Sequence, residues 1–173
     1  MTVRDAVLAD APAIATIHVE CWRHAYRGIV PQALLDSLDV ARREAQWARV
    51  LGEPGEAPER GATLVSEDHA DDVTGFAQTG VPQDGSGDGE TGELYAIYLH
   101  PAAIGTGVGR ALLAAATDRL RASGFTRARL DVLPGNDRAI RVYEAAGWRA
   151  SGEPWDVQHG EHVLPHQRYV REL

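Results

Sequence analysis

The stretch that decides the fold is "YLHPAAIGTGVGRALL", residues 98–113, in which three glycines occupy every second position. Its first residues are typical of a strand, and its last residues begin a helical pattern that continues to Gly124. A glycine inside a helix costs roughly 1 kcal/mol relative to alanine. Gly105, Gly107 and Gly109 therefore indicate a turn that needs bare backbone, and a phosphate group is a ligand that the start of a helix binds well.

Two other interpretations of the glycines are weaker. A dinucleotide fold needs G-x-G-x-x-G directly after a strand, with an acidic residue about 20 positions further on. Here the spacing is G-x-G-x-G, the segment "PAAI" (101–104) separates strand from glycines, and Asp131 lies inside the next predicted strand. A plain tight turn between a strand and a helix needs one glycine rather than three.

Strand and helix signals alternate along the chain in the order β-α-α-β-β-β-α-β-α-β-β. Asp10 is expected to cap the first helix, and Pro31 to start the next one. Two loops rich in glycine and acidic residues, 52–61 and 82–92, are expected to be exposed. This order predicts an α/β fold with helices on both faces of a mixed central sheet. The predicted strands lie within residues 2–10, 62–67, 73–81, 93–100, 126–134, 148–154 and 162–173.

The composition limits the classes of function. A length of 173 residues favours a single domain, and a net charge of −8 gives no general attraction for nucleic acid. All 17 basic residues are arginines, which excludes enzymes that use a Schiff-base or phosphate-loop lysine. Cys21 is the one cysteine, so no internal disulfide is expected, and its apolar segment predicts a buried thiol. Without an apolar run of membrane-spanning length or a signal-peptide core, the sequence predicts a cytoplasmic protein.

Two segments together resemble the GCN5-related N-acetyltransferase (GNAT) family. Its acetyl-coenzyme A (acetyl-CoA) signature is a strand, a proline and a Gln/Arg-Gly-x-Gly-x-Gly/Ala turn entering a long helix, and residues 98–113 are similar to it. The segment "LDVLPGNDRAIRVYEAAGW" (130–148) has the strand, asparagine and tyrosine that follow in the family. Asn136, the only asparagine, and Tyr143 are seven residues apart and so share a helix face. Residues 10–31 resemble the family's first helical hairpin more loosely.

The resemblance implies a GNAT-type mixed sheet and a site for acetyl-CoA as co-substrate. Backbone amides of residues 105–110 would face the pyrophosphate, where the helix dipole is positive. One position departs from the family, because Ile104 stands where Gln or Arg is usual and cannot donate a hydrogen bond. The implied cofactor-binding residues are Ile97, Tyr98, Leu99, Ile104, Gly105, Thr106, Gly107, Val108, Gly109, Arg110, Asn136 and Tyr143.

Acetyl transfer to an amine requires a neutral amine, a stabilised oxyanion and a protonated leaving thiolate. By resemblance, Tyr143 is the general acid that protonates the thiolate. Glu93 matches a position where many family members hold a base, although an ordinary loop carboxylate is the alternative. Further candidates are, for the base, Glu20, His24 and Tyr26 and, for the acceptor pocket, Trp22, Tyr26 and Trp155.

The sequence therefore predicts that residues 1–173 form one N-acetyltransferase domain. It would move an acetyl group from acetyl-CoA directly to a primary amine of a small molecule, within a ternary complex. A protein N-terminus is the alternative acceptor, and a non-catalytic acyl-CoA-binding or sensing module is the alternative function. A homodimer is left open, and neither nucleic acid nor a membrane is an expected partner.

Three histidines near the C-terminus raise the question of a metal site: His159, His162 and His166. Strand geometry is expected to distribute them over both faces of a sheet, and no second cluster of ligands assists them. We therefore expect no metal.

Overall fold

The structure, a computed structural model, describes residues 1–52 and 60–173. Most of the loop predicted at 52–61 therefore lies outside the described residues. The strands are β1 Thr2–Asp5, β2 Ala62–Glu67, β3 Val73–Gly80, β4 Thr91–Leu99, β5 Arg127–Val132, β6 Arg149–His159 and β7 His162–Glu172. The helices are α1 Ala11–Ala25, α2 Gln32–Asp36, α3 Val40–Gly52, α4 Val108–Ala122 and α5 Asp137–Ala145.

All seven of these strands belong to one sheet, in the order β1-β2-β3-β4-β5-β7-β6. β4 and β5 pair in parallel, and the other neighbouring strands pair antiparallel. The parallel pair arises because α4 carries the chain back along the sheet between β4 and β5, as a crossover helix does. The predicted mixed sheet is confirmed.

Helices cover the two faces of the sheet, as predicted. On one face, Ile14 and Ile17 of α1 and Trp47 of α3 pack against Val65 and Phe76. The opposite face is covered by α4 and α5, whose buried residues form one cluster with Trp148 and with the inward residues of β4 and β5. The alternation of side chains along each strand provides an apolar set for each helical layer.

The feature that positions the site is the divergence of β4 from β5. Their parallel register covers only Thr91–Leu94 against Arg127–Leu130. A bulge in the pairing with β3 falls at this point, because Thr79 pairs with Leu94 and Gln78 with Ala96, which leaves Tyr95 as the extra residue. Beyond it β4 continues beside β3 and β5 continues beside β7, so a gap opens between them.

Four local predictions are corrected by the structure. The first strand ends at Asp5, and the segment 31–51 forms two helices, so α2 is an additional short element. Asp10 makes no side-chain cap on α1; its carboxylate accepts from Arg4 at 2.7 and 2.9 Å and from the Val7 N–H at 2.8 Å. β6 extends to His159, because it pairs with β7 along a hairpin that turns at residues 160–161.

The Arg4–Asp10 pair gives a test of the fold at the N-terminus. Asp10→Asn removes a charge that is 8% exposed and is expected to lower the free energy of unfolding by about 1.5–3 kcal/mol at pH 7. Arg4 holds the pKa of Asp10 below its ordinary value. The stabilisation is therefore present above the unfolded-state pKa of about 3.9 and is lost as the pH falls through the lower native pKa. Urea unfolding at a series of pH values measures the difference.

Asp5→Asn is the matched control, since Asp5 also pairs with an arginine, Arg119, at 2.6 Å but is 61% exposed. An exposed pair of this kind contributes less than about 1 kcal/mol. Equal losses in the two variants, or a loss for Asp10→Asn that does not shrink in acid, would contradict the assignment.

Candidate active site

A cavity of about 420 Å³ occupies the gap between β4 and β5. It runs from the glycine turn, past the open side of β4 and one face of α5, to Cys21, Ala25 and Tyr26 of the α1 region. The cavity therefore passes through the sheet, with α4 and α5 at one end and α1 at the other.

Two of the three glycines are required by backbone conformation. Gly105 and Gly107 have φ angles of 88° and 95°, a region that residues with a Cβ atom adopt only with strain. A Cβ at either position would meet no protein atom within 4 Å, so the space beside them is open to a ligand. Gly109 serves packing instead, because a Cβ there would lie 3.1 Å from Leu99 Cδ1.

The turn presents unpaired backbone donors to this space. The N–H groups of Arg110 and Ala111 donate to the Gly107 carbonyl. In the described part of the chain, no hydrogen bond engages the N–H groups of Gly105, Gly107, Val108 and Gly109. They lie at the start of the 15-residue helix α4, where the partial charge is positive. This arrangement suits an anion such as a pyrophosphate.

Charged side chains are distributed unequally along the cavity. Arg110 of α4 and Arg138 and Arg141 of α5 line it, and none forms an ion pair within residues 1–52 and 60–173. Asp131 of β5 is the one acidic residue in the lining formed by the described residues. Both of its oxygens accept from Arg168, at 2.9 and 3.0 Å. The cavity is thus cationic at the glycine turn and has a single carboxylate where the strands diverge.

The open side of β4 carries the backbone groups of Ile97 and Leu99. The His100 N–H donates to the Thr74 carbonyl on β3 at 2.9 Å. Backbone groups alternate in direction along a strand, so those of Leu99 and Ile97 point away from β3 and into the gap. Both residues line the cavity, as does Tyr98 between them. An extended ligand could therefore pair with β4 in the place that β5 leaves empty.

Hydroxyl groups gather at the far end of the cavity. Tyr26, Tyr98 and Tyr143 all line it, and Tyr143 is 8% exposed. Burial raises the pKa of Tyr143 well above its ordinary value and that of Tyr98 to about 12, so both stay protonated at neutral pH. Asn136 lies beside them, and its side chain caps α5 by accepting from the Ala139 N–H at 3.3 Å.

The structure brings most of the predicted cofactor residues to this cavity. The exceptions are Thr106 and Val108, whose side chains border a separate cavity near Met1. The Thr106 hydroxyl donates to the Ala103 carbonyl at 2.7 Å, and Val108 is buried. Ile104 lines the cavity with an apolar side chain.

Glu93 lies outside the lining of the cavity. Its carboxylate accepts from Arg129 at 3.0 and 2.7 Å, and the Arg129 side chain is only 6% exposed. Arg129 also pairs with Asp84 at 2.8 Å. The role of Glu93 as a base stays a prediction, and these contacts weigh against it because the carboxylate compensates a buried cation.

The remaining candidate residues are placed around the α1 end. Trp22 contacts the rings of Tyr26 and Tyr98, with centroid distances of 4.8 and 6.5 Å, but does not line the cavity. Trp155 lies on β6, where the Arg168 guanidinium stacks 4.8 Å from its ring centre. Of the other base candidates, Glu20 has its Oε2 atom 3.2 Å from His100 Nε2, whereas His24 is exposed.

Several residues at the site were not identified from the sequence. Arg138 and Arg141 follow Asn136 at helical spacing on α5, a pattern that could have indicated them. The expectation that the three C-terminal histidines lie on both faces of a sheet was wrong. His162 is directly opposite His159, and His166 follows on the same face of β7, where His159 Nε2 and His166 Nε2 are 2.9 Å apart. Residues 1–52 and 60–173 contain no group of three or more potential ligands that could hold a metal. None of the helices described is long and apolar enough to cross a membrane.

Comparison with known proteins agrees with this geometry. The family model "Acetyltransferase (GNAT) family" matches residues 13–148. The "Uncharacterized N-acetyltransferase YuaI" of Bacillus subtilis is 37% identical over 146 residues, which cover 84% of this chain and 78% of that protein. The chain therefore belongs to the GNAT family and is an acetyl-CoA-dependent acyltransferase.

Solved structures show the same fold. The yncA protein of Salmonella typhimurium, whose structure contains its cofactor acetyl-CoA, has a TM-score of 0.72 and 28% identity, covering 99% of this chain and 93% of that one. A ribosomal-protein-alanine N-acetyltransferase from Brucella melitensis has a TM-score of 0.76 at 23% identity, and each chain is fully covered. Acetyl-CoA is the co-substrate, and the free amides, the three arginines and the open side of β4 fit an elongated anionic thioester.

The glycine turn gives a direct test of the phosphate site. Gly107→Ala introduces a Cβ beside the free N–H groups and is expected to weaken acetyl-CoA binding at least about tenfold, since hydrogen bonds to a charged group are lost. Backbone strain also lowers stability by roughly 1–2 kcal/mol. Calorimetric titration measures the Kd, and thermal melting the stability.

Gly147→Ala is the control for strain alone. Gly147 has a φ of 85° and nothing within 4 Å of an added Cβ, but it does not line the cavity. It should lose similar stability and keep the wild-type Kd. An unchanged Kd in Gly107→Ala would mean that the phosphates bind elsewhere.

Ile104 allows the opposite test, a gain in affinity. Ile104→Gln adds a hydrogen-bond donor at the cavity wall and is expected to lower the Kd for acetyl-CoA by up to about tenfold. This gain is smaller than the largest contribution of a hydrogen bond to a charged group. Ile104→Leu changes the shape without adding a donor and should leave the Kd unchanged. Weaker binding by the glutamine variant would show that this side chain does not face the phosphates.

Proposed function

We propose that the protein transfers an acetyl group from acetyl-CoA to a primary amine of a small molecule, directly and within a ternary complex. The observation that carries the proposal is the cavity through the sheet. It has anion-binding groups at one end, a buried tyrosine hydroxyl along it and an acidic residue where it meets the α1 side.

Different residues of the cavity bind different parts of acetyl-CoA. The free amides of Gly105, Gly107, Val108 and Gly109 bind the phosphates. The side chains of Arg110, Arg138 and Arg141 bind them as well. The backbone groups of Ile97 and Leu99 hold the pantetheine arm as an added strand would be held, and Asn136 contacts the same arm. Acetyl-CoA supplies the thioester whose acetyl group is transferred.

The chemistry follows from the groups at the far end. The Leu99 N–H donates to the oxygen that becomes negative when the amine attacks the thioester carbon. The Tyr143 hydroxyl protonates the departing thiolate, and its raised pKa keeps that proton in place at neutral pH. Holding both substrates side by side lowers the entropic part of the barrier.

The acceptor enters from the α1 side. Tyr26 lines this end, and Trp22 packs on Tyr26. The net charge of −8 favours a cationic acceptor. A non-catalytic binding module would have no use for a buried proton donor at Tyr143. Acceptance of a protein N-terminus, a homodimer and a cytoplasmic location stay predictions.

A panel of primary amines tests the proposed function. Each amine is mixed with protein and acetyl-CoA, and free thiol release is followed against a control without amine. Amine-dependent thiol release together with the N-acetylated product supports the proposal. Tight acetyl-CoA binding without turnover on any amine would favour the sensing module instead.

The role of Tyr143 is tested by Tyr143→Phe, which keeps the ring and removes the proton donor. The turnover number should fall about 10²–10⁴-fold, the usual contribution of general acid catalysis, with the Kd for acetyl-CoA within a few fold of wild type. Steady-state kinetics on the best acceptor measure this.

Tyr169→Phe is the matched control for Tyr143→Phe. Tyr169 is also a buried tyrosine, 6.4 Å from the Tyr143 ring, but it does not line the cavity. Its variant should turn over normally. A Tyr143→Phe enzyme with the wild-type rate, where chemistry is shown to limit turnover, would exclude the role of general acid.

A further inference from the structure

The two histidines of the C-terminal hairpin form a close pair. His159 of β6 and His166 of β7 have their Nε2 atoms 2.9 Å apart and their ring centroids 5.1 Å apart. A contact of this length needs one Nε2 to donate and the other to accept. The pair therefore shares one proton between its Nε2 atoms and can take up one more, at a free Nδ1 atom.

The pair lies on the sheet face that carries Asp131. Asp131 is directly opposite Arg168, and His166 is two residues from Arg168 on the same strand, so its side chain is on the same face. The His159 ring is 6.3 Å from the Trp22 ring. The imidazoles thus lie between Trp22 of α1 and Asp131 of the cavity lining, next to the lining rather than in it.

The surroundings favour the neutral form of the pair. Burial lowers the pKa of both His159 and His166. For His166 the neighbouring imidazole lowers the pKa further, whereas Asp131 on β5 raises it. On the same face of the hairpin, Arg168 follows His166 by two residues on β7, and His162 is opposite His159 at the turn. The hairpin's further charged groups are Arg149, Glu153, Asp156, Glu161, Arg171 and Glu172, and α1 adds Glu20, Arg23 and His24.

Other basic groups near this face are already engaged. Glu93 compensates Arg129, Glu20 pairs with His100, and both oxygens of Asp131 accept from Arg168. His18 is in the core, where it accepts from the Trp47 Nε1–H at 3.4 Å and has a pKa lowered to about 3. Among the residues that the structure describes, these contacts leave the imidazole pair as the group best able to act as a base on the acceptor side.

We propose that the His159–His166 pair takes up the proton that the acceptor ammonium must lose before the amine attacks the thioester. An N–H bond of the ammonium breaks and an N–H bond forms at the free Nδ1 atom of one ring. The shared Nε2 proton crosses to the second ring, whose Nδ1 proton then leaves to solvent. The electron pair stays on the amine nitrogen and forms the new C–N bond. This role rests on the proposed function.

The test uses His166→Gln and His159→Gln in the full chain, with His162→Gln as the control on the same hairpin. The acceptor is the best alkylamine of the panel, and kcat/KM is measured across pH. Both variants should lose about 10²–10⁴-fold in kcat/KM at pH 7. Their rates should then rise with pH toward the amine's own pKa, and added imidazole should restore part of the rate.

His162→Gln should keep the wild-type profile, and all three variants should keep the wild-type Kd for acetyl-CoA. If the two histidines have only a structural role, His159→Gln and His166→Gln would lower kcat/KM without changing the shape of its pH profile. That result would overturn the proposal. A wild-type rate and profile in both pair variants, or in His159→Gln alone, would overturn it too while the proposed function stands. Absence of turnover by the wild-type protein with every amine would instead remove the proposed function and this role with it.

Discussion

The divergence of β4 and β5 after a short parallel register is the constraint on which the rest of the structure depends. Backbone groups in a sheet interior need hydrogen-bond partners. Those of β5 find them on β7, whereas Ile97 and Leu99 of β4 are left facing the gap. A continuous ladder would close the sheet and remove the cavity. The bulge at Tyr95 accompanies this opening and lies where the pairing with β5 stops.

The net charge of the chain and the charge of the cofactor have the same sign. A chain with a net charge of −8 must bind an anionic cofactor through local groups. The free amides at the start of α4, and arginines that no carboxylate neutralises in the described residues, are such groups. The only acidic lining residue of that part of the chain, Asp131, is paired with Arg168, so the unpaired charge of the lining is positive and favours the phosphates at the glycine turn.

Glu93 and the His159–His166 pair are both candidate bases, but their tertiary contacts differ. Glu93 lies beside Arg129, a nearly buried cation, and loss of its charge would leave that cation undercompensated. His159 and His166 are hydrogen-bonded to each other, and an imidazole can change its charge by taking up a proton. A carboxylate bound to a buried arginine is a poor proton acceptor, whereas a neutral imidazole pair is a good one. The contacts of Glu93 therefore weigh against the role of base that the family position implies, and that role stays a prediction.

The local features of the site could be predicted from the sequence alone. The spacing of Gly105, Gly107 and Gly109, the order of strands and helices, and the seven-residue separation of Asn136 and Tyr143 are short-range properties that backbone conformation and helix periodicity determine. The partners of Asp131, Glu93 and the hairpin histidines were decided only by tertiary structure. Those contacts depend on strand order and register, which place β7 between β5 and β6 and leave the end of β4 beside a gap. A one-residue change of register would turn each of these side chains to the other face, and no local pattern specifies that choice.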